Sequence, residues 1–400
     1  MQIFDVSSNL IDGVIPSSIG SIVPNLWLLN MSENALQGSI PVSLSDMMSL
    51  TTLDLSSNNL SGRLPKEFGM GSNKLEFLKL SDNNFHGPAL PRRSNFTYLF
   101  SLQLDDNHFT GEIPSGFINS SKLRMLDLGN NQLSGKLPSW IGNFQYLSSL
   151  ILSQNSLQGP IPSEFCKLNG LKYLDLSLNN FSSPFPSCAN TTLSLRYIHL
   201  QDNGFTGPLP RMLLKFPSLL TLDLINNRFS GEIPAWISSF SNLRVLLLKG
   251  NRFEGSIPKD ICQLKNISIM DLSYNIFSGQ IPSCLKDVRF RGWDRDIIGK
   301  FVEPWITRAT EYAYDNQTSI TEGTNKVRYF QTAEEQEVEF MSKNRYESYK
   351  GNILDFMSGM DLSGNKLTGS IPPEIGYLSS IHTLNLSNNN ITGPIPETFS

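Results

Sequence analysis

The chain has 400 residues, of which 17% are charged, with a formal net charge of -4 and only four cysteines. No run of lysine or arginine accompanies this slightly acidic balance, which excludes nucleic acid and other polyanions as partners. The length does not fix a domain count, because a repeat array grows by stacking similar units.

Asparagine recurs at a nearly constant interval along the chain. The steps are 24 or 25 residues, except for one step of 90 residues between Asn275 and Asn365. The recurring residues are Asn9, Asn34, Asn58, Asn83, Asn107, Asn131, Asn155, Asn179, Asn203, Asn227, Asn251, Asn275, Asn365 and Asn389. A fixed period of this length with apolar residues at fixed offsets predicts a repeat solenoid.

The repeat around Asn131 shows how one unit folds. Leu126 and Leu128 alternate with polar positions, which predicts a short strand with one buried face. Stacked copies would form a parallel sheet. The asparagine follows the strand, where we expect its amide to satisfy backbone groups of the turn and of the neighbouring coil.

A Gly-x-Ile/Leu-Pro segment follows most of the asparagines, for example Gly135 to Pro138 and Gly231 to Pro234. The complete pattern resembles the plant-specific leucine-rich repeat of receptor kinases and receptor-like proteins. That resemblance implies an α/β-type leucine-rich-repeat solenoid, a curved right-handed superhelix with a parallel β-sheet on its concave face. We expect twelve repeats in residues 1–285 and two truncated repeats in 358–400.

The cysteines form two pairs with the same 22-residue separation, Cys166 with Cys188 and Cys262 with Cys284. Equal spacing across neighbouring repeats favours two disulfides in an oxidising compartment, and four buried free thiols are the alternative. Asn-x-Ser/Thr sequons also fit a secreted setting. The candidate glycosylation sites are Asn59, Asn95, Asn119, Asn180, Asn190, Asn316 and Asn390.

Exposed strand positions carry the candidate ligand contacts, because aromatic and arginine side chains on a sheet surface are typical binding anchors. Tyr173, Tyr197 and His199 form the preferred cluster. We find no catalytic constellation and predict neither an enzyme nor a cofactor. The four histidines lie in separate repeats, so no metal site is expected.

The 90-residue step defines a distinct segment, residues 286–357. It contains 24 charged and 12 aromatic residues among 72, and no leucine occurs from Lys286 to Ile353. Because disordered segments lack aromatic residues, we expect partial order, with residues 337–341 forming a strand against the sheet. The stretch from Glu337 to Lys350 resembles the island domain of plant leucine-rich-repeat receptor-like proteins.

The resemblance implies a cell-surface recognition ectodomain without its own kinase. Such a protein binds an extracellular peptide, elicitor or small molecule, recruits a co-receptor leucine-rich-repeat kinase, and lies at the outer side of the plasma membrane. Here the membrane would be reached only through a segment that this sequence does not contain. The sequence begins and ends inside repeats, so we interpret it as a piece of a longer protein or a truncated gene product.

We expect the ligand where the island folds back on the sheet. Sheet contacts would be Arg244, Lys249, Asp271 and Tyr274, and the island would contribute Trp305 and Tyr329. Two alternatives stay open: the ectodomain of a kinase-bearing receptor for a steroid or peptide hormone, and a secreted inhibitor of cell-wall hydrolases.

Overall fold

Two long parallel sheets run along the whole array in the computed structural model of the chain. The structure describes residues 1–70, 74–188, 194–288, 290, 337–342, 345–350, 357–378 and 380–399. Each repeat contributes one strand to each sheet, so neighbours in a sheet are successive repeats. This is the predicted leucine-rich-repeat solenoid, and the first sheet forms its concave face.

The first sheet has fourteen strands of three residues. They are β1 (Ile3–Asp5), β3 (Leu28–Asn30), β5 (Thr52–Asp54), β7 (Phe77–Lys79), β9 (Ser101–Gln103), β11 (Met125–Asp127), β13 (Ser149–Ile151), β15 (Tyr173–Asp175), β17 (Tyr197–His199), β19 (Thr221–Asp223), β21 (Val245–Leu247), β23 (Ile269–Asp271), β27 (Gly359–Asp361) and β29 (Thr383–Asn385). The middle residue of each strand enters the core, as Leu126 does.

The second sheet follows the asparagines and was not anticipated from the sequence. Its strands are β2 (Asp12–Val14), β4 (Ala35–Gly38), β6 (Asn59–Gly62), β8 (Asn84–Pro88), β10 (His108–Gly111), β12 (Gln132–Gly135), β14 (Ser156–Gly159), β16 (Asn180–Ser183), β18 (Gly204–Gly207), β20 (Arg228–Gly231), β22 (Arg252–Ser256), β24 (Ile276–Gln280), β28 (Lys366–Gly369) and β30 (Asn390–Ile391). The motif glycine lies at or near the end of most of these strands, and at Gly135 its φ is 88°, a conformation that side chains disfavour.

Short helices close the coils on the opposite side. One α-helical turn covers Ile19–Ile22, and the others are 3₁₀ helices. These are Val42–Asp46, Ser139–Asn143, Ser163–Lys167, Arg211–Lys215, Ala235–Ser239, Lys259–Gln263, Ser283–Asp287, Pro373–Tyr377 and Glu397–Phe399. Most begin directly after the motif proline, whose extended backbone stands at the helix N-terminus, as at Pro138 with φ -75° and ψ 148°.

The repeated asparagine performs the predicted structural role. The Asn131 Nδ2 donates to the carbonyl oxygens of Leu104 (3.0 Å), Leu128 (3.3 Å) and Gly129 (2.9 Å). Its Oδ1 accepts the backbone N–H of Phe109 at 2.9 Å. One amide therefore satisfies groups from two consecutive coils, and the same pattern recurs at the other repeats, which locks the 24-residue step.

Phenylalanine fills the core beneath the second sheet in consecutive repeats. Rings of Phe181, Phe205, Phe229, Phe253 and Phe277 stack with centroids 6.1 to 6.4 Å apart. All five are fully buried. Offset stacking of this kind adds about 0.5–1.5 kcal/mol per pair beyond the burial of apolar area.

The insertion leaves the array in register. β23 pairs with β27 so that Ile269, Met270 and Asp271 face Gly359, Met360 and Asp361. The asparagine network also continues, because Phe277 N donates to Asn365 Oδ1 at 3.1 Å. Within the insertion, β25 (Glu337–Ser342) and β26 (Arg345–Lys350) form an antiparallel hairpin.

Candidate functional site

The hairpin formed by β25 and β26 packs on the first sheet. Val338 and Phe340, two residues apart on β25, are 1% and 0% exposed. They form one apolar cluster with Val245, Leu247 and Ile269 of the first sheet and with Ile225, which lies two residues after β19. Residues 337–341 thus form the predicted strand, and it lies against the sheet.

Gly359 completes this contact from β27. A Cβ atom added at Gly359 would lie 2.4 Å from Phe340 Cε1 and 2.6 Å from Phe340 Cζ. The aromatic ring therefore occupies the space that a side chain at this position would take. The absence of a side chain at Gly359 lets the hairpin approach the sheet closely.

The sequence contains a signal for this contact that the initial interpretation missed. Most first-sheet strands place a polar residue on one side of the buried middle residue, but Val245 to Leu248 are four apolar residues in succession, all 0% exposed. A continuous apolar run indicates a strand that is buried on both faces. The partner of the second face is the hairpin.

The preferred aromatic cluster lies on the same sheet, on the N-terminal side of the covered region. Tyr173 pairs with Tyr197, and Asp175 with His199, in the register of β15 and β17. Ring centroids of Tyr173 lie 5.8 Å from Tyr197 and 5.5 Å from His199. The two tyrosines are half-buried, whereas His199 is only 2% exposed. The structure therefore brings these three residues together.

Burial raises the pKa of the Tyr197 hydroxyl, and the positive charges of Arg196 and Arg244 oppose this shift. The phenol stays a neutral hydrogen-bond donor in neutral solution, because its ordinary pKa is already about 10. Its surroundings combine aromatic faces with arginine side chains. Such a surface accommodates flat or apolar groups next to an anionic or carbonyl group.

The other predicted sheet contacts differ in accessibility. Asp271 and Arg244 are buried, at 0% and 8% exposed, and lie next to residues that pack with the hairpin: Arg244 precedes Val245, and Asp271 shares β23 with Ile269. Tyr274 is 52% exposed, and Lys249 Nζ lies 6.0 Å from the centre of its ring. Tyr274 has φ 50°, a conformation that the residue before the repeated asparagine also adopts in other repeats, as at Asn130 and Leu178. The predicted island contacts, Trp305 and Tyr329, lie outside the described residues.

The register across the insertion also creates a carboxylate pair that sequence analysis missed. Asp271 and Asp361 face each other on β23 and β27, and both are 0% exposed. Burial and the charge of Asp361 raise the pKa of Asp271 to about 7. Ninety residues separate Asp271 from Asp361 in sequence, but the two lie in consecutive repeats once the insertion is left out of the count.

Both cysteine pairs are disulfides in the structure, Cys166–Cys188 and Cys262–Cys284. Each joins the short-helix side of one coil to the next. Sequons differ in accessibility: Asn59, Asn95, Asn119, Asn180 and Asn390 have exposed side chains, whereas Asn30 is 6% exposed on the first sheet. Asn190 and Asn316 lie outside the described residues.

Across the described ranges, no three His, Cys, Asp or Glu residues gather closely enough to hold a metal ion. In the same part of the chain, no helix has the length and apolarity needed to cross a membrane. The candidate site consists of the hairpin docked on the first sheet and the aromatic cluster beside it on the same sheet.

Comparison with known proteins agrees with this architecture. The family described as Leucine rich repeat matches residues 1–60. A second family, Leucine Rich Repeat, matches 98–120, 122–144, 146–168, 170–190, 218–240, 242–264, 358–378 and 380–400. These spans cover more than half of the chain, which therefore belongs to the leucine-rich-repeat proteins.

Individual relatives narrow the family to plant receptor-like proteins. Receptor-like protein 1 of Arabidopsis thaliana is 42% identical over 105 residues, 25% of this chain and 10% of that protein. Cuscuta receptor 1 of Solanum lycopersicum is 56% identical over 50 residues, 12% of this chain and 4% of that protein. The matched segments are thus small parts of these relatives.

Solved structures match over the full chain. The crystal structure of a TDR receptor has a TM-score of 0.75 at 28% identity, covering 100% of this chain and 57% of that one. The Arabidopsis receptor kinase HAESA, in complex with the peptide hormone IDA and the co-receptor SERK1, has a TM-score of 0.69 at 27% identity, covering 100% and 64%. Together these findings support a plant leucine-rich-repeat receptor-like protein.

Proposed function

We propose that the chain is part of the extracellular recognition ectodomain of a plant cell-surface receptor-like protein. It binds a peptide, an elicitor or a small molecule on the first sheet and signals through a partner receptor kinase, in defence or development. The HAESA complex, which contains both a peptide hormone and a co-receptor, supports this kind of partnership. The proposed location is the outer side of the plasma membrane.

One observation carries the proposal: the first sheet changes from open to covered next to the aromatic cluster. Tyr173 and Tyr197 are half-buried and lie outside the hairpin contact, whereas Val245, at the same position two strands after Tyr197, is 0% exposed and belongs to one apolar cluster with Val338 and Phe340. A flat sheet encloses little of a ligand, and tight sites bury most of a ligand's surface. The docked hairpin adds a side wall to the sheet at this point.

The ligand therefore lies against Tyr173 and Tyr197, with its end directed at the hairpin. Arg244 and Asp271 support the wall from beneath and do not contact the ligand. Lys249 and Tyr274, which are accessible, flank the same wall on the side where the strands end. This assignment refines the sequence-based site by separating its buried members from its exposed ones.

The test uses a random-peptide display library as the probe and the full 400-residue chain as bait. Recovered peptides are titrated against the Tyr173→Ala/Tyr197→Ala double variant. Loss of a buried aromatic anchor costs about 2 kcal/mol or more, so we expect at least a roughly 30-fold rise in Kd. Tyr146→Ala provides the matched control, because Tyr146 is 59% exposed and lies outside the first sheet.

The proposal is wrong if the double variant binds the recovered peptides as tightly as the Tyr146→Ala control. A library that yields no peptide binding the wild-type chain contradicts a peptide as the ligand. The same titration with the intact receptor, followed by a dose-response measurement in plant cells, connects binding to signalling.

A kinase-bearing receptor is the second candidate, because the solved structures of similar fold include the receptor kinase HAESA. The sequence relatives, among them Receptor-like protein 1 with 42% identity over 105 residues, support the receptor-like type. The complete transcript distinguishes the two: a kinase-bearing receptor encodes a kinase domain, and a receptor-like protein encodes a short cytoplasmic tail.

A further inference from the structure

The third residue of each first-sheet strand forms a column across the array, and carboxylates in it have different neighbours. Asp54 lies 3.7 Å from Lys79 Nζ. Asp5 accepts a hydrogen bond from Asn30 Nδ2 at 3.2 Å. In both cases the adjacent strand supplies a hydrogen-bond donor or a cation. Asp5 is exposed, whereas Asp54 is buried, and a buried carboxylate requires such a partner.

The Asp271–Asp361 step is the exception among the fourteen described strands, since it places two carboxylates side by side. Asp361 Oδ2 accepts from Asn385 Nδ2 at 3.0 Å, and its Oδ1 accepts from Ser363 N at 2.8 Å. Asp271 Oδ1 accepts from Ser273 N and Oγ at 2.9 and 2.6 Å. Asp271 Oδ2 is buried without a hydrogen-bond partner in the described part of the chain.

The groups that face Asp271 from the elements around it are mostly uncharged. β21 contributes Leu247 in register, and Lys249 lies two residues beyond that strand. β27 contributes Asp361. From the hairpin, the described side chains are Val338 and Phe340, both apolar and both packed with Ile269 of the same strand as Asp271. The positive charge of Lys249 lowers the pKa of Asp271, but by less than burial and the charge of Asp361 raise it.

We propose that the Asp271–Asp361 pair is a pH-sensitive latch for the hairpin, in which one proton on Asp271 holds the hairpin docked and its loss favours release. Between Asp271 and Asp361 neither side chain can donate a hydrogen bond when both are ionised, and the proton on Asp271 supplies that donor. On the following strand, Asn385 supplies the donor for Asp361. Deprotonation leaves two adjacent buried carboxylates next to the apolar contact that Val338 and Phe340 make at Ile269 and Gly359. Undocking returns water to them, so the charged pair favours the open state.

The sign follows from the pKa of Asp271. Its docked value is about 7, above the ordinary value of 3.8. A carboxyl group whose pKa is raised in the docked state binds its proton more tightly there, so protonation favours docking. This stabilisation is complete below pH 3.8 and is lost as the pH rises to about 7. Because one proton is linked, the docking equilibrium changes at most about tenfold per pH unit within this window. Acidic solution therefore keeps the hairpin docked, and alkalinisation loosens it.

Hydrogen exchange of the amides in residues 337–350, measured from pH 5 to pH 8 and corrected for the intrinsic exchange rate, tests the latch without any ligand. We expect protection to fall with pH in the wild-type chain. Asp271→Asn should abolish the fall and keep the hairpin protected, since an asparagine beside an aspartate already occurs in this column. Asp175→Asn, at the same position of an uncovered strand, should leave the fall unchanged.

A wild-type hairpin whose corrected protection is constant from pH 5 to pH 8 overturns the proposal. An unaltered pH response in Asp271→Asn does the same. Asp361→Asn is a second, independent variant: it removes the neighbouring charge, so the midpoint of the transition should move to lower pH. A midpoint that stays in place means that the pair is not the titrating unit.

Discussion

Gly359→Ala is the sharpest perturbation of the hairpin contact, because the substitution adds one methyl group at the point where Phe340 touches the sheet. The backbone of Gly359 is outside the left-handed region, so alanine causes no strain of its own. The added Cβ would lie 2.4 Å from the Phe340 ring, which forces the ring to move. Overpacking of this kind costs about 1–3 kcal/mol.

The cost falls on docking and leaves the array intact. A change of about 1–3 kcal/mol raises the undocked population about 5- to 150-fold. Trypsin cleavage after Arg345 and Lys350, quantified by mass spectrometry, should accelerate by the same factor, since cleavage follows the open population when docking is fast. The melting temperature of the repeats should not fall, because alanine also restricts the unfolded chain.

A double-mutant cycle shows whether Phe340 is the residue displaced. In a Phe340→Ala background the obstruction is absent, so Gly359→Ala should change the cleavage rate by less than about twofold. Ser149→Ala, at the same strand position where the sheet is uncovered, is the control. The steric explanation is refuted if Gly359→Ala leaves cleavage unchanged in the wild-type chain, or if it accelerates cleavage equally in both backgrounds.

Three further outcomes follow from the array itself. Asn131→Ala leaves buried backbone groups of two coils unsatisfied and should lower the free energy of unfolding by about 1–3 kcal/mol in urea titrations. An unchanged unfolding midpoint would contradict the role of Asn131 in joining consecutive coils. Replacing Cys262 and Cys284 by serine should cost about 3 kcal/mol, which calorimetry under non-reducing conditions would show. Glycan mapping of secreted protein should find Asn119 occupied and the buried Asn30 unmodified, and the reverse pattern would contradict the assigned sheet faces.

Much of the fold could be predicted because each repeat specifies itself locally. The leucine alternation around Leu126, the asparagine at 131 and the bend at Gly135 act within one 24-residue unit, so a pattern in the sequence maps directly onto a coil. The second sheet was missed because its strands run through a segment dominated by the turn residues glycine and serine, where the alternation is short.

The candidate site was harder to predict because it depends on contacts between distant segments. Tyr173 and Tyr197 were recognised as neighbours, since one repeat separates them. Arg244 and Asp271 were expected at an accessible surface, yet both are buried, and the hairpin packs on their neighbours Val245 and Ile269. Their burial depends on where the hairpin docks and on which face of β25 contacts the sheet. A sequence pattern predicts that β25 is a strand, but it does not predict where that strand docks.

The insertion also has a consequence for how the array assembles. Every other first-sheet pairing joins strands about one repeat apart, whereas β23 and β27 meet only after a step of 90 residues. Loop-closure entropy grows with the logarithm of length, so this step costs about 1 kcal/mol more than a 24-residue step. The pairing of β23 with β27 is as regular as the other pairings in the folded protein. During folding, however, the last two repeats can join the array only after this 90-residue loop has closed.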